Sequence, residues 1–186
     1  MSIESIRQAE YTYQYACGAR EKQAFPNYAS AVSFPCMRLL FCATAATAAA
    51  SLVTAWLTDA FLHQRIAIIG SFVGLQRSHN AGIAFGVHLG PYQEVIITVA
   101  LAVLAYAAWK SAHTQMEQAG FGCILGGGAA NLIDRAMNGY VTDMIQIGTF
   151  PVFNLADMCI NVGVALLLLQ MLLQRSHTPK RAHSTH

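Results

Sequence analysis

The residues able to do chemistry in this chain are acids and amides. Asp59, Asp134, Asp143 and Asp157 are four of its nine acidic residues, and Asn80, Asn131 and Asn154 accompany them. Two carboxyls forced together cannot both ionise cheaply, so one holds a proton while the other stays charged. Such a pair activates a water with one member and protonates a leaving nitrogen with the other. It needs neither a metal nor a covalent intermediate, and it suits hydrolysis of a peptide bond. Asn131 and Asp134 are three apart and share a helix face. Asn154 stands three before Asp157, where it can cap a helix whose dipole favours the acid. The competing reading is that these acids pair with Arg135, Arg77 and backbone groups.

Other chemistries find little support. Cys17, Cys36, Cys42, Cys123 and Cys159 form no C-x-x-C, and the seven histidines form no H-E-x-x-H helix. Gly126-Gly127-Gly128 is followed by Asn131 where a dinucleotide loop needs its last Gly, and no G-x-S-x-G elbow occurs. Neither a cofactor nor a metal is expected. The net charge of +2, with no basic stripe, speaks against nucleic-acid binding.

The elements that must position the acids are apolar. Hydrophobic residues make up 55% and charged residues 11% of 186, against roughly 25% charged in a soluble domain. Charges are missing between Arg38 and Asp59, Glu94 and Lys110, Glu117 and Asp134, and Asp157 and Arg175. A bilayer core takes about 20 largely apolar helical residues. Four transmembrane helices are therefore expected near 39–58, 93–111, 117–136 and 156–174. Small residues at 126–128 let a neighbouring helix approach closely.

Lys and Arg set the orientation. Arg7, Arg20, Lys22, Arg38, Lys110, Arg175, Lys180 and Arg181 fall on one side, and Arg65, Arg77 and Arg135 on the other. Both termini are then cytoplasmic. Met37-Arg38-Leu39-Leu40 and the Ala-rich run after it resemble a signal peptide. Cleavage there would put Lys110 and the carboxy-terminal basic cluster on opposite sides, so the segment is read as a permanent anchor. Residues 1–36 read either as a loose cytoplasmic tail or as a stretch preceding a true start at Met37, 37–175 as the transmembrane domain, and 176–186 as a basic cytoplasmic tail.

This topology gathers the acids at the outer membrane face. Asp59 ends the first helix, Asp134 and Arg135 end the third, Asp143 follows, and Asp157 opens the fourth. Ionisable residues at such depth are functional candidates. The outer stretches 66–70, 72–75, 144–147 and 152–153 are β-prone. The expected fold is thus an all-α membrane protein of four transmembrane helices. A small periplasmic β-sheet, or cradle, lies between helices 1–2 and 3–4 and could grip an extended peptide by strand pairing.

Four blocks together resemble the lipoprotein signal peptidase (signal peptidase II) family. Asn80-Ala81-Gly82-Ile83-Ala84-Phe85-Gly86 is similar to its N-x-G-x-A-F box, and the run from Leu125 to Arg135 to its G-G-A-x-G-N-x-x-D-R block. Gly139-Tyr140-Val141-Thr142-Asp143 is similar to its G-x-V-x-D element, and Phe153-Asn154-Leu155-Ala156-Asp157 to its F-N-x-A-D block. The resemblance spans about residues 38–175 and implies an aspartic endopeptidase of the bacterial inner membrane. Such an enzyme removes the signal peptide from diacylglyceryl-modified prolipoproteins, cutting just before the lipidated cysteine. Its partners would be those substrates and membrane lipids, and a monomer is expected.

Spacing alone does not choose Asp143 over Asp134; the resemblance does. It makes Asp143 and Asp157 the catalytic pair. It makes Asp134 and Arg135 a supporting, salt-bridged group beside Asn131. Asn80 and Asn154 would line the site, and Asp59 matches an outer-end acid of helix one. The family usually carries Lys four residues after that acid, where His63 stands here, and Ala130 replaces a usual Gly. Two other readings compete: a proton or ion transporter using the four acids as a relay, and an inactive relative that binds prolipoproteins. A membrane protease of the G-x-G-D type is unsupported because that string is absent.

Overall fold

The computed structural model describes residues 37–83 and 90–175. The expected tails, and positions 84–86 of the first sequence block, lie outside the described residues. Helix α1 runs Arg38–Phe61, followed by strands β1 (Ile66–Ile69) and β2 (Val73–Asn80). After a 3-10 turn at Gly90–Tyr92 come α2 (Gln93–Ser111), α3 (Gln115–Asn138), β3 (Val141–Ile147) and α4 (Leu155–Arg175). The four charge-poor segments are thus four long helices, each within a few residues of its expected bounds.

Three of them, α1, α2 with the turn before it, and α4, are long and apolar enough to cross a membrane. Helix α3 has 24 residues, or roughly 36 Å at 1.5 Å per residue, but it is less apolar. Its position explains its composition. It packs against α1, α2 and α4, so much of its surface meets protein. Gly126 and Gly127 make that approach possible. A Cβ on Gly126 would lie 2.5 Å from Thr44 O on α1, and one on Gly127 2.6 Å from Ala156 O on α4. The outward residues of the other helices are large and apolar, with Trp56, Phe61, Val103 and Leu172 all exposed.

Helix ends are fixed by local chemistry. Thr114 accepts from the Glu117 N–H, and Glu117 Oε2 accepts from the Thr114 N–H, a capping box that starts α3. Gly139, with φ of 83°, caps its far end and turns the chain into β3.

The strands form one antiparallel sheet in the order β1-β2-β3. β2 reaches Asn80 and β3 begins at Val141, both beyond the segments expected from sequence. Asp143 and Asn80 therefore sit on strands. The stretch 152–153 forms only an isolated bridge, Ile145 with Phe153.

Candidate active site

The polar groups meet where the ends of α1 and α3, the start of α4 and the paired strands β2 and β3 come together. Asn154 stands just before α4. Its Oδ1 accepts from the Asp157 N–H at 2.9 Å, and Asp157 Oδ2 accepts from the Asn154 N–H at 3.2 Å. This reciprocal cap holds Asp157 in the first turn, where the helix dipole favours a carboxylate.

Two amides join the two acids. Asn154 Nδ2 donates to Asp143 Oδ1 at 2.9 Å and to Asn131 Oδ1 at 3.0 Å. Asn131 Nδ2 donates to Asp157 Oδ1 at 3.0 Å. β3, α3 and the α4 cap thus contribute to one hydrogen-bonded chain, Asp143–Asn154–Asn131–Asp157. Asp143 is 2% exposed. Burial first, and then the charge of Asp157, push its carboxyl up to about 7, against the hydrogen bonds from Asn80 and Asn154 that favour the anion. Asn80 in turn accepts from the Gly82 N–H at 3.0 Å.

Asp59 and Asp134 form a second group. Asp134 accepts from the Thr142 N–H at 2.8 Å and from Asn138 Nδ2 at 2.7 Å. Asp59 Oδ2 accepts from the Thr142 hydroxyl at 2.8 Å, and its Oδ1 pairs with His79 Nε2 at 3.0 Å. Arg77 donates to the Asp59 backbone carbonyl at 3.0 Å. Arg135 donates to Gly82 O at 2.6 Å, across the site from Asp134's partners.

The expected salt-bridged pair of Asp134 and Arg135 is therefore corrected. The two are consecutive on a helix and diverge by a quarter turn or more, so each finds its own partner. Among the described residues the acid–base side-chain contact in this region is His79 with Asp59, an ion pair when the imidazole carries a proton. His63 is exposed, and the partner of Asp59 comes from β2 instead of from its own helix. His79, stacked on Tyr140 at 3.9 Å, and Thr142 belong to this network but were not singled out from sequence. Their only signal is adjacency to Asn80 and Asp143. All eight sequence-selected positions, Asp59, Asn80, Asn131, Asp134, Arg135, Asp143, Asn154 and Asp157, lie in or beside the network. Among the described residues no group of three or more His, Cys, Asp or Glu is placed to hold a metal ion.

Residues 37–173 match the family described as signal peptidase (SPase) II. The chain belongs to that family. A lipoprotein signal peptidase of Moorella thermoacetica is 39% identical over 114 residues, covering 60% of this chain and 76% of the relative. One of Symbiobacterium thermophilum is 38% identical over 130 residues, covering 65% and 86%. A bacterial membrane enzyme solved by the in meso method matches with a TM-score of 0.67 at 25% identity, over 76% of this chain and 92% of that one. This signal peptidase II family member is a bacterial membrane protein, and its apolar helices are what that setting requires.

Proposed function

We propose that the chain is an aspartic endopeptidase working with Asp143 and Asp157. As a signal peptidase II it removes signal peptides from prolipoproteins; the finer reading is that it cuts just before a diacylglyceryl-modified cysteine. The observation that carries the mechanism is the amide chain from Asp143 to Asp157. It holds two carboxyls in fixed relation, with one poised to keep a proton near neutrality.

The precursor diffuses in the bilayer with its acyl chains in lipid between the helices, and its scissile segment lies under the sheet. Asp157, set in the first turn of α4, takes a proton from a water as that water attacks the carbonyl carbon. Asp143, protonated, donates to the carbonyl oxygen. The tetrahedral intermediate then collapses: the proton held by Asp157 passes to the leaving amine, the C–N bond breaks, and one hydroxyl of the intermediate returns its proton to Asp143 as the new carboxyl group forms. Asn80, Asn131 and Asn154 orient the acids and the substrate backbone. Asp59, Asp134 and Arg135 fix the strand and loop around them. Site and support come from one chain, which fits a monomer. The active face is periplasmic in the inner membrane, both termini are cytoplasmic, and α3 is the fourth span.

Neither a transporter nor an inactive binder is favoured. The acids cluster at one end of the helices and are linked through amides, whereas a relay needs a polar path through the bilayer. The test is cleavage of a purified diacylglyceryl-modified prolipoprotein by Asp143→Asn and Asp157→Asn variants. Both are expected to fold and to lose cleavage by at least about 10³-fold. Normal turnover by either variant refutes the assignment.

A further inference from the structure

Thr142 is 1% exposed and is gripped from two directions by acids outside the Asp143–Asp157 chain. Its hydroxyl donates to Asp59 Oδ2 at 2.8 Å, and its N–H donates to Asp134 Oδ2 at 2.8 Å. The two acceptors come from the last turns of different helices, α1 and α3. Successive side chains of a strand leave opposite faces. The Thr142 hydroxyl therefore tethers one face of β3 to α1, while the next residue presents its carboxyl to Asn154 on the other.

The sheet pairs this stretch, with Ser78↔Asp143, His79↔Thr142 and Asn80↔Val141, but in a register offset from the rest of the ladder. The β2–β3 register is regular from Val73↔Ile147 to Leu75↔Ile145 and then shifts before Ser78↔Asp143. A shift of this kind bends a strand and increases its local twist, so the Thr142 tethers act together with the ladder in setting how β3 enters the site. Asp59 is in turn a firm anchor, since His79 holds its other carboxylate oxygen and Arg77 its backbone carbonyl.

We propose that Thr142 is a positioning residue for the peptidase reaction: clamped between Asp59 and Asp134, it sets where the Asp143 carboxyl stands relative to Asn154 and Asp157. The inference rests on the Asp143–Asp157 reading. It assigns Asp59 and Asp134 a shared task, which is to hold β3 from two helix ends.

The experiment compares Thr142→Val, Thr142→Ala and Thr142→Ser in the full chain, with Asp143→Asn as control. The substrate is a diacylglyceryl-modified prolipoprotein, and folding is checked by thermal melting in detergent. Thr142→Val keeps the shape and deletes the hydroxyl. It is expected to lower kcat on the order of 10- to 100-fold, the effect of a misplacement of about 1 Å, with KM within about twofold because the substrate's binding surface is untouched. Thr142→Ser, which keeps the donor, is expected to retain kcat within about threefold of the parent. A Thr142→Val enzyme with parental kcat, or one changed only in KM, overturns the proposal. So does a Ser variant as impaired as the Val variant. If Val and Ala variants fail to fold while Ser folds, the residue is structural and the proposal also fails. An active Asp143→Asn control overturns the dyad itself, which separates the two failures.

Discussion

At the scale of single residues, Asp143 is the position where environment changes chemistry most. An isolated aspartate titrates near 3.8, and burial together with Asp157 moves Asp143 to about 7. The folded protein therefore holds a proton that the unfolded chain releases as pH rises from about 4 to about 7. Asp143 accordingly destabilises the fold progressively across that window, with no further change on either side. Asp143→Asn is expected to flatten this slope and to melt at higher temperature than the parent above pH 7, as measured by thermal unfolding in detergent. Cleavage by the parent is expected to decline as pH rises past about 7, when Asp143 loses the proton that the proposed mechanism has it donate. A rate that rises on that side would reverse the roles of the two acids. Asp134 behaves differently. Its oxygens accept from Thr142 and Asn138, so Asp134→Asn leaves one donor facing another and is expected to cost about 1–3 kcal/mol of stability with partial activity retained. The choice of Asp143 over Asp134 was not legible from spacing. Both follow apolar runs at the same face, and the resemblance made the choice; in space Asp143 joins the amide chain to Asp157, whereas Asp134 accepts from the Thr142 N–H and Asn138.

At the scale of elements, α3 carries the architecture. It must pass close to α1 and α4 while delivering Asn131 and Asp134 at its end, and glycines serve the first demand. Gly126→Val would drive a side chain into the Thr44 carbonyl of α1, a backbone atom that cannot swing away. Overpacking of this kind typically costs about 1–3 kcal/mol, and a backbone obstacle puts this site at or above the upper end. The expected result is a lowered melting temperature, with activity lost because Asn131 moves with the helix. Thr114→Ala at the opposite end of α3 removes a cap, is expected to cost about 1 kcal/mol, and should leave kcat unchanged. Equal losses of kcat in the two variants would contradict the view that α3 acts by placing Asn131. The helices were legible because long charge-poor apolar runs bounded by charges mark helices, although only the first, 39–58, reaches spanning length without its flanking residues. The lower apolarity of α3 is the mark of a helix enclosed by others, which composition alone does not distinguish from a shorter span. The strands were legible only in their β-branched centres. His79, Asn80 and Asp143 are poor strand formers, held in β2 and β3 by pairing across the sheet and by the acids of α1 and α3.

At the scale of the whole molecule, one end of the helices is apolar outside and polar inside. Exposed Trp56 and Phe61 close α1 beside Asp59, and the sheet continues directly from that end. The opposite ends of α2 and α3 meet in a short link near Lys110, capped by Thr114 and Glu117. This asymmetry has one functional consequence: the amide-linked acids can meet an exported precursor only if their end faces the periplasm. The balance of basic residues argues for that orientation, and it is open to direct measurement. In a chain whose native cysteines are replaced, Thr149→Cys places a thiol on the exposed turn after β3, and His113→Cys places one on the exposed link before α3. A membrane-impermeant maleimide added to spheroplasts is expected to label position 149 at once and position 113 only after permeabilisation. The reverse pattern would seat the acids on the cytoplasmic side, away from translocated precursors, and the proposed mechanism would have no substrate to act on.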